Sequence, residues 1–403
     1  MTTNEAQARR WMNEAITAEK RGKFAQARAT LQQVVEQGPT EEALDARLRL
    51  ARLLIQAGPV EFDHAERFLE EAESQARART ETRKEATACH LRALLALKRR
   101  EPDTAWSLLE QSPVTRITSA PGPSLGQWFH YKGRVAQDRD DLNLAERMFF
   151  RAHQAYTEAR HDAGLAEVAD SLAGLLMRRG KPELALEFAQ RSLTLKQRDQ
   201  DRYGEAITLG TIGRIHVLQG RYHDAEKAFQ DDLRLAKLLG DTHGVGIMLN
   251  SLGEAARLDG DPGRSLDWHK QALTHTALGP LHLAFAQMGV IRALLEHDPP
   301  RLNAAREHHD QLGQVVAELK PEHWFHDIVI GLRGAIAALG DPAGLGQAEA
   351  DLKHVVEALE RDKLGLDTIP FLLDLRDLLI RLDRKAEAVA AMARALELFH
   401  EAG

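Results

Sequence analysis

Residues 204–243 read GEAITLGTIGRIHVLQGRYHDAEKAFQDDLRLAKLLGDTH, which is the pattern of one helical hairpin. Ile207, Ile212, Ile215 and Leu218 recur at helical spacing before Gly220, and Tyr222, Ala225, Phe229, Leu233 and Ala236 do so after it. A glycine at position 220 takes the left-handed conformation without a side-chain penalty, closing the first helix and letting the second run back antiparallel. Gly240 repeats the device, and Asp241 or Thr242 is placed to cap the next helix. One such hairpin cannot bury its apolar face alone, so neighbours of the same kind must stack on it.

The turn position serves as a ruler. Turn residues fall at Arg100, Asp140, Gly180, Gly220, Gly260, Pro300 and Gly340, an unbroken spacing of 40. Five residues later stands a small residue in Ala105, Ala145, Ala185, Ala225, Ser265 and Ala305. Seven residues before the turn stands another, in Gly133, Ala173, Gly213, Gly253 and Ala293. Smallness at both places predicts two helices crossing closely, since a larger side chain would force them apart.

These residues carry a resemblance. Leu209, Ile212, Gly213, Gly220, Tyr222, Ala225 and Phe229 reproduce the pattern of the tetratricopeptide-repeat family, and the chain resembles that family over essentially its whole length. Repeats of the family are usually 34 residues. A repeat of 40 with a Leu-Gly-Asp joint is similar to the lengthened variety of kinesin light chains, polarity adaptors and bacterial peptide sensors. The resemblance implies an all-α fold, a right-handed α-solenoid of about ten antiparallel hairpins. It says little about cargo, because members share a scaffold and differ in what they bind.

Three expected segments follow from the ruler. Residues 1–111 hold about three amino-terminal hairpins, 112–124 form a Pro- and Ser-rich loop, and 125–403 hold about seven more hairpins. The repeats are cleanest from Leu125 to about Ala277, and Asp341 to Gly346 lengthens a later turn. The last helix, 386–401, should carry a polar outer face, with Glu387, Arg394, Glu397 and His400 as its candidates.

Composition narrows the function. Hydrophobic residues make up 43% of the chain and aromatic ones only 5%, so the core is mostly Ala and Leu. A net charge of −7 argues against nonspecific nucleic-acid binding. The amino terminus lacks a continuous apolar core of signal-peptide length, and no run is long and apolar enough for a membrane span. The single cysteine, Cys89, permits no internal disulfide and suits a reducing cytoplasm, where a small buried role is expected of it. No GxxxxGK loop or GxSxG elbow occurs, and Gly244-Val-Gly246 lacks a third glycine. His308 with His309, or His323 with His326, lack the ligands that would complete a metal site. Asp231-Asp232 and Glu70-Glu71 read as solvated faces. No catalytic residue, cofactor or metal is expected, and the chain does not read as an enzyme.

What remains is surface. In the family that the chain resembles, the first helix of each hairpin lines the concave side. Counting from the turn, this implies partner-binding positions at His130, Tyr131, Arg134 and Gln137, then Asp170, Ser171 and Met177, then Thr211 and Arg214, and lastly Asn250, Ser251, Glu254 and Arg257. Asn250 stands one residue before the place where related repeats often carry an asparagine that binds a peptide backbone. The expected partner is another protein, presenting a peptide or helical segment with acidic residues to Arg134, Arg214 and Arg257, although Asp170 and Glu254 could neutralise two of those arginines internally. Two function classes follow: a non-enzymatic adaptor or scaffold, and a ligand- or peptide-responsive sensor that switches a separate effector.

Overall fold

The structure, a computed structural model, describes residues 3–117, 122–275, 278–340 and 342–402. Among these the regular structure is helical throughout, with twenty α-helices, a few short 3-10 turns and no strand. The helices form ten antiparallel hairpins of an α-solenoid. The first three pair α1 (Thr3–Lys20) with α2 (Phe24–Gln37), α3 (Thr40–Ala57) with α4 (Phe62–Ala78), and α5 (Thr82–Lys98) with α6 (Pro102–Glu110). The next two pair α7 (Gly122–Asp138) with α8 (Leu142–Glu158) and α9 (Asp162–Arg178) with α10 (Pro182–Arg198). Then α11 (Arg202–Leu218) pairs with α12 (Tyr222–Leu239), and α13 (Thr242–Leu258) with α14 (Pro262–Leu273). The last three pair α15 (Pro280–Leu295) with α16 (Leu302–Val316), α17 (Phe325–Ala338) with α18 (Leu345–Arg361), and α19 (Gly365–Arg381) with α20 (Lys385–Ala402). Two compact units result, Met1–Leu176 with Glu183–Thr211, and Met177–Pro182 with Ile212–Gly403.

The small residues of the ruler are where helices meet. Ala105, Ala145, Ala185, Ala225, Ser265 and Ala305 are all fully buried. On the first helices the reason for smallness is an aromatic ring. A Cβ on Gly213 would stand 2.3 Å from Phe229, and one on Gly133 would stand 2.5 Å from Phe149. In the seventh hairpin His269 replaces that phenylalanine, and a Cβ on either Gly253 or Gly289 would collide with its ring at 2.5 and 2.3 Å.

The turns repeat twice as often as the ruler suggests. Thr80, Arg100, Asp140, Arg160, Gly180, Gln200, Gly220, Gly240 and Gly260 are left-handed, so the turn within a hairpin and the joint between hairpins are the same device. Position 120, where the series would place another, lies outside the described residues, and Pro300 and Gly340 do not adopt the conformation. One residue after several of these turns an aspartate caps the next helix: Asp141, Asp201, Asp241 and Asp261 accept from the backbone N–H three residues on at 2.8–2.9 Å.

Several expectations need correction. Ile207 and Leu218 are 51% and 40% exposed, while Leu209, Ile212 and Ile215 are buried. Helical spacing places Ile207 and Leu218 on one stripe with Thr211 and Arg214, away from the core stripe of α11. The segment 112–124 contains a 3-10 turn at Pro113–Arg116 and gives way to α7 at Gly122, so Pro123 and Ser124 are helical; residues 118–121 lie outside the described residues. Ala277 and Asp341 also lie outside them, whereas Pro342–Gly344 is a 3-10 turn leading into α18. Asp232 is not a solvated acid, being 6% exposed. On α20 the expected Glu387, Glu397 and His400 are exposed and Arg394 half-buried, but the surface they share also carries Val389, Leu396 and Phe399, exposed to 69%, 48% and 58%.

Within the first unit the chain closes back on itself. Lys20 at the end of α1 donates to the carboxylate of Asp199 at 2.7 Å and to its carbonyl at 3.2 Å, and Phe24 meets Tyr203 edge to face at 4.8 Å.

Candidate functional site

Positions that recur every 40 residues mark the same face of each helix in α7, α9, α11 and α13: Gln127, Glu167, Ile207 and Ile247; Tyr131, Ser171, Thr211 and Ser251; Arg134, Gly174, Arg214 and Glu254. These positions are polar or half-exposed, whereas Val135, Leu175, Ile215 and Ala255 on the same helices are buried. The serines and threonine among them are partly spent on their own helices, with Ser171, Thr211 and Ser251 donating to the carbonyls of Glu167, Ile207 and Ile247 at 3.2 Å.

In the first unit, α7 and α9 bring His130, Tyr131, Arg134, Asp170 and Ser171 together. His130 Nε2 shares a hydrogen bond of 2.8 Å with Ser171 Oγ, its ring stacks on Tyr131 at 5.8 Å, and its Nδ1 is buried without a partner. Burial, reinforced by Arg134, pushes the imidazole down to about 3, so it is neutral at physiological pH. The Arg134 guanidinium lies over the Tyr131 ring at 5.9 Å and has no carboxylate within ion-pair distance among the described residues. Asp170 does not neutralise it. That carboxylate is held by Lys196 on α10 and accepts from Thr208 Oγ1 at 3.0 Å, and Lys196 donates to Thr208 Oγ1 at 2.8 Å and to the Gly204 carbonyl at 3.3 Å. Gln137 is half-buried farther along α7, and Thr211 is buried.

In the second unit, α13 carries Asn250, Ser251, Glu254 and Arg257. Asn250 is already bound inside the protein: its Nδ2 donates to the His282 carbonyl at 3.1 Å and its Oδ1 pairs with His269 Nδ1 at 3.2 Å. Burial drives His269 to about 4, and its Nε2 has no partner. Arg257 is neutralised twice, by Glu254 at 2.7 Å and by Glu296 at 2.8 Å. Asp367 on α19 is raised from its ordinary value by desolvation and then by Glu254. Met177 is half-buried and Arg214 exposed. Arg134 and Arg257 therefore differ: the first keeps its charge available, while the second is spent within the fold.

More polar residues join the first unit's cluster than sequence reading identified. Arg52 pairs with Glu19 at 2.8 Å and Glu167 at 3.7 Å, Arg49 lies 3.4 Å from Glu19, and Gln127 meets His90 at 3.2 Å. The ruler already aligns Gln127 and Glu167 with Ile207. Arg49 and Arg52 belong to the second hairpin, whose turn departs from the ruler, and carry no such signal.

Among the described residues no group of three or more His, Cys, Asp or Glu is arranged to hold a metal ion. His308 bonds Gln287 at 2.7 Å, His309 the Val329 carbonyl at 2.9 Å, and His326 the Lys320 carbonyl at 3.1 Å. Cys89 donates to the Leu108 carbonyl at 3.0 Å, and burial pushes its thiol up to about 11, which leaves no thiolate at neutral pH. No helix among the described residues is long and apolar enough to cross a membrane.

Comparison with known proteins agrees with the repeat. Residues 204–276 match the model of the family described as Tetratricopeptide repeat. No curated protein matches the chain. Among solved structures, the apo form of RapI is similar at a TM-score of 0.68 with 12% identity, covering 89% of this chain and 98% of that one. The apo form of the quorum sensor NprR from B. thuringiensis gives 0.66 with 13% identity, covering 89% and 99%. The Rap conjugation gene regulator of the plasmid pLS20, in complex with the Phr* peptide, gives 0.57 with 12% identity, covering 96% of each chain. Identities this low speak for the fold alone.

Proposed function

We propose that this tetratricopeptide-repeat solenoid is a non-enzymatic interaction protein of the cytoplasm that holds an extended or helical segment of a partner protein along the stripe of its first helices. The observation that carries the reading is Arg134, an unpaired guanidinium beside Tyr131 and Ser171 on a face otherwise able to donate and accept hydrogen bonds. An arginine so placed favours a segment bearing carboxylates. Thr211 stands at the repeat-equivalent position in the same unit, and Met177, Arg214, Asn250, Ser251 and Glu254 are the corresponding positions of the second unit.

A peptide-responsive regulator acting on a separate effector is the second reading. Its support is the peptide-bound relative among the similar structures, which this chain spans over nearly its whole length. Pull-down from native lysate with mass spectrometry, followed by calorimetric titration of the captured segment, tests both readings. A protein segment that binds the parent and loses affinity in Arg134→Ala supports the adaptor. A free peptide that binds and changes which protein is captured supports the regulator, and absence of any peptide or protein ligand sinks both.

A further inference from the structure

We infer that the contact between the end of α1 and the joint of α10 and α11 is a latch, and that a partner segment comes to lie on the stripe of the first unit only when this latch opens. The inference rests on the reading of that stripe as the binding face.

Within the first unit, Arg52 on α3 stands 3.7 Å from Glu167 on α9, one turn before Ser171 on the same stripe. An extended segment needs about 5 Å of clearance and a helix about 10 Å. Neither passes between these two side chains while the helices that carry them stay where they are. Their separation is fixed from the end of α1. There Glu19 holds Arg52 at 2.8 Å and Arg49 at 3.4 Å, and the next residue, Lys20, donates to Asp199 just past α10 at 2.7 Å. Asp201, which caps α11, lies within reach of the same ammonium, and Phe24 at the start of α2 meets Tyr203 edge to face. Glu19 and Lys20 thus tie α3 and the α10–α11 joint to one helix end.

These closing contacts are the ones that give first. Lys20 and Asp199 keep 33% and 50% of their side chains exposed, Glu167 keeps 53%, and ion pairs this wet hold weakly. The hairpins themselves are joined by buried side chains such as Leu31, Leu44, Leu69 and Leu95, whose separation would expose apolar surface to water. Contacts of such unequal strength leave a minor open state, and a ligand that fits only that state draws the population toward it.

The opening is measured on the full chain without any ligand. Spin labels at Ala25→Cys and Gln200→Cys, both exposed, report the distance across the latch by double electron–electron resonance. Lys20→Glu sets a carboxylate against Asp199 and Asp201, and should raise the longer-distance population at least about threefold. Adding Asp199→Lys should return it to the parent value, with helicity unchanged throughout. Access to the stripe is read separately, from the rate at which a bulky fluorescein maleimide labels Ser171→Cys. That rate should rise with Lys20→Glu by the same factor and fall back with Asp199→Lys, while Asn143→Cys on the exposed side of α8 labels equally in all backgrounds. Cys89 is buried and does not compete. A distance distribution unmoved by Lys20→Glu would overturn the latch, and longer distances without faster labelling of Ser171→Cys would overturn its control of the stripe. A captured segment indifferent to Arg134→Ala would count against the binding face itself and leave both of these readouts untouched.

Discussion

The ring of Phe229 occupies the space into which any side chain at Gly213 would grow, with Cε1 2.3 Å from the Cβ position. Phe229 is itself 2% exposed and cannot swing into solvent. Gly213→Ala should therefore cost about 1–3 kcal/mol, as should Ala225→Leu at the fully buried crossing across the hairpin. Chemical denaturation measures both, and variants as stable as the parent would show that the register of the sixth hairpin is wrong.

The left-handed turns predict the opposite sign at non-glycine positions. Arg160 and Gln200 take φ of 50° and 56°, which costs an L-residue about 1–2 kcal/mol, against about 0.5–1 kcal/mol of backbone entropy lost by glycine. Arg160→Gly and Gln200→Gly should each stabilise by about 0.5–1 kcal/mol. Loss of stability in both would mean that the turns carry side-chain contacts worth more than the strain.

Acid should destabilise the protein well above the carboxylate range. Burial holds His90 and His269 at about 4 and His130 at about 3 in the fold, against an ordinary 6.5. Each is neutral when folded, so the unfolded chain takes up protons first. The stabilisation is complete above pH 6.5 and is lost as pH falls toward 4 and then 3. Melting temperature followed from pH 7 to 5 should fall, and His269→Phe, which restores the residue type found at Phe149 and Phe229, should shallow that fall. An unchanged slope in the variant would contradict the assignment.

Asp232 works in reverse. Burial, helped by Asp241, raises it from 3.8 to about 7, so the folded state keeps a proton that the unfolded state releases, and its contribution declines as pH rises from 4 to 7. Asp232→Asn should stabilise by about 1–3 kcal/mol at pH 8 and by much less at pH 5. Equal effects at the two pH values would show that ionisation is not the cause.

For binding, Arg134→Ala should weaken the captured segment by about 1.5–3 kcal/mol, whereas Arg257→Ala, whose charge Glu254 and Glu296 already meet, should act mainly on stability. Affinity should also decline with salt, since exposed charges are screened beyond about 8–10 Å at physiological ionic strength. A segment insensitive to both salt and Arg134 would place the binding surface elsewhere.

The repeat, its turns and its small crossings are legible in the sequence alone, because they arise from local periodicity. Gly220 ends a helix whatever lies around it, and Ala225 must be small in every hairpin of the kind. The same periodicity misassigned Ile207 and Leu218, since hydrophobic identity alone does not reveal which of two adjacent stripes faces the neighbouring helix. Charge partnership lay further out of reach. Asp170 could as well have met Arg134 as Lys196, and Arg257 could have stayed free, because each outcome depends on side chains from different helices arriving within a few ångströms of one another. Only the packed helices decide that Lys196 takes Asp170 and leaves Arg134 charged. The exposure of Val389 and Leu396 on α20 is a related case, since it follows from which side of that helix the core of this chain consumed.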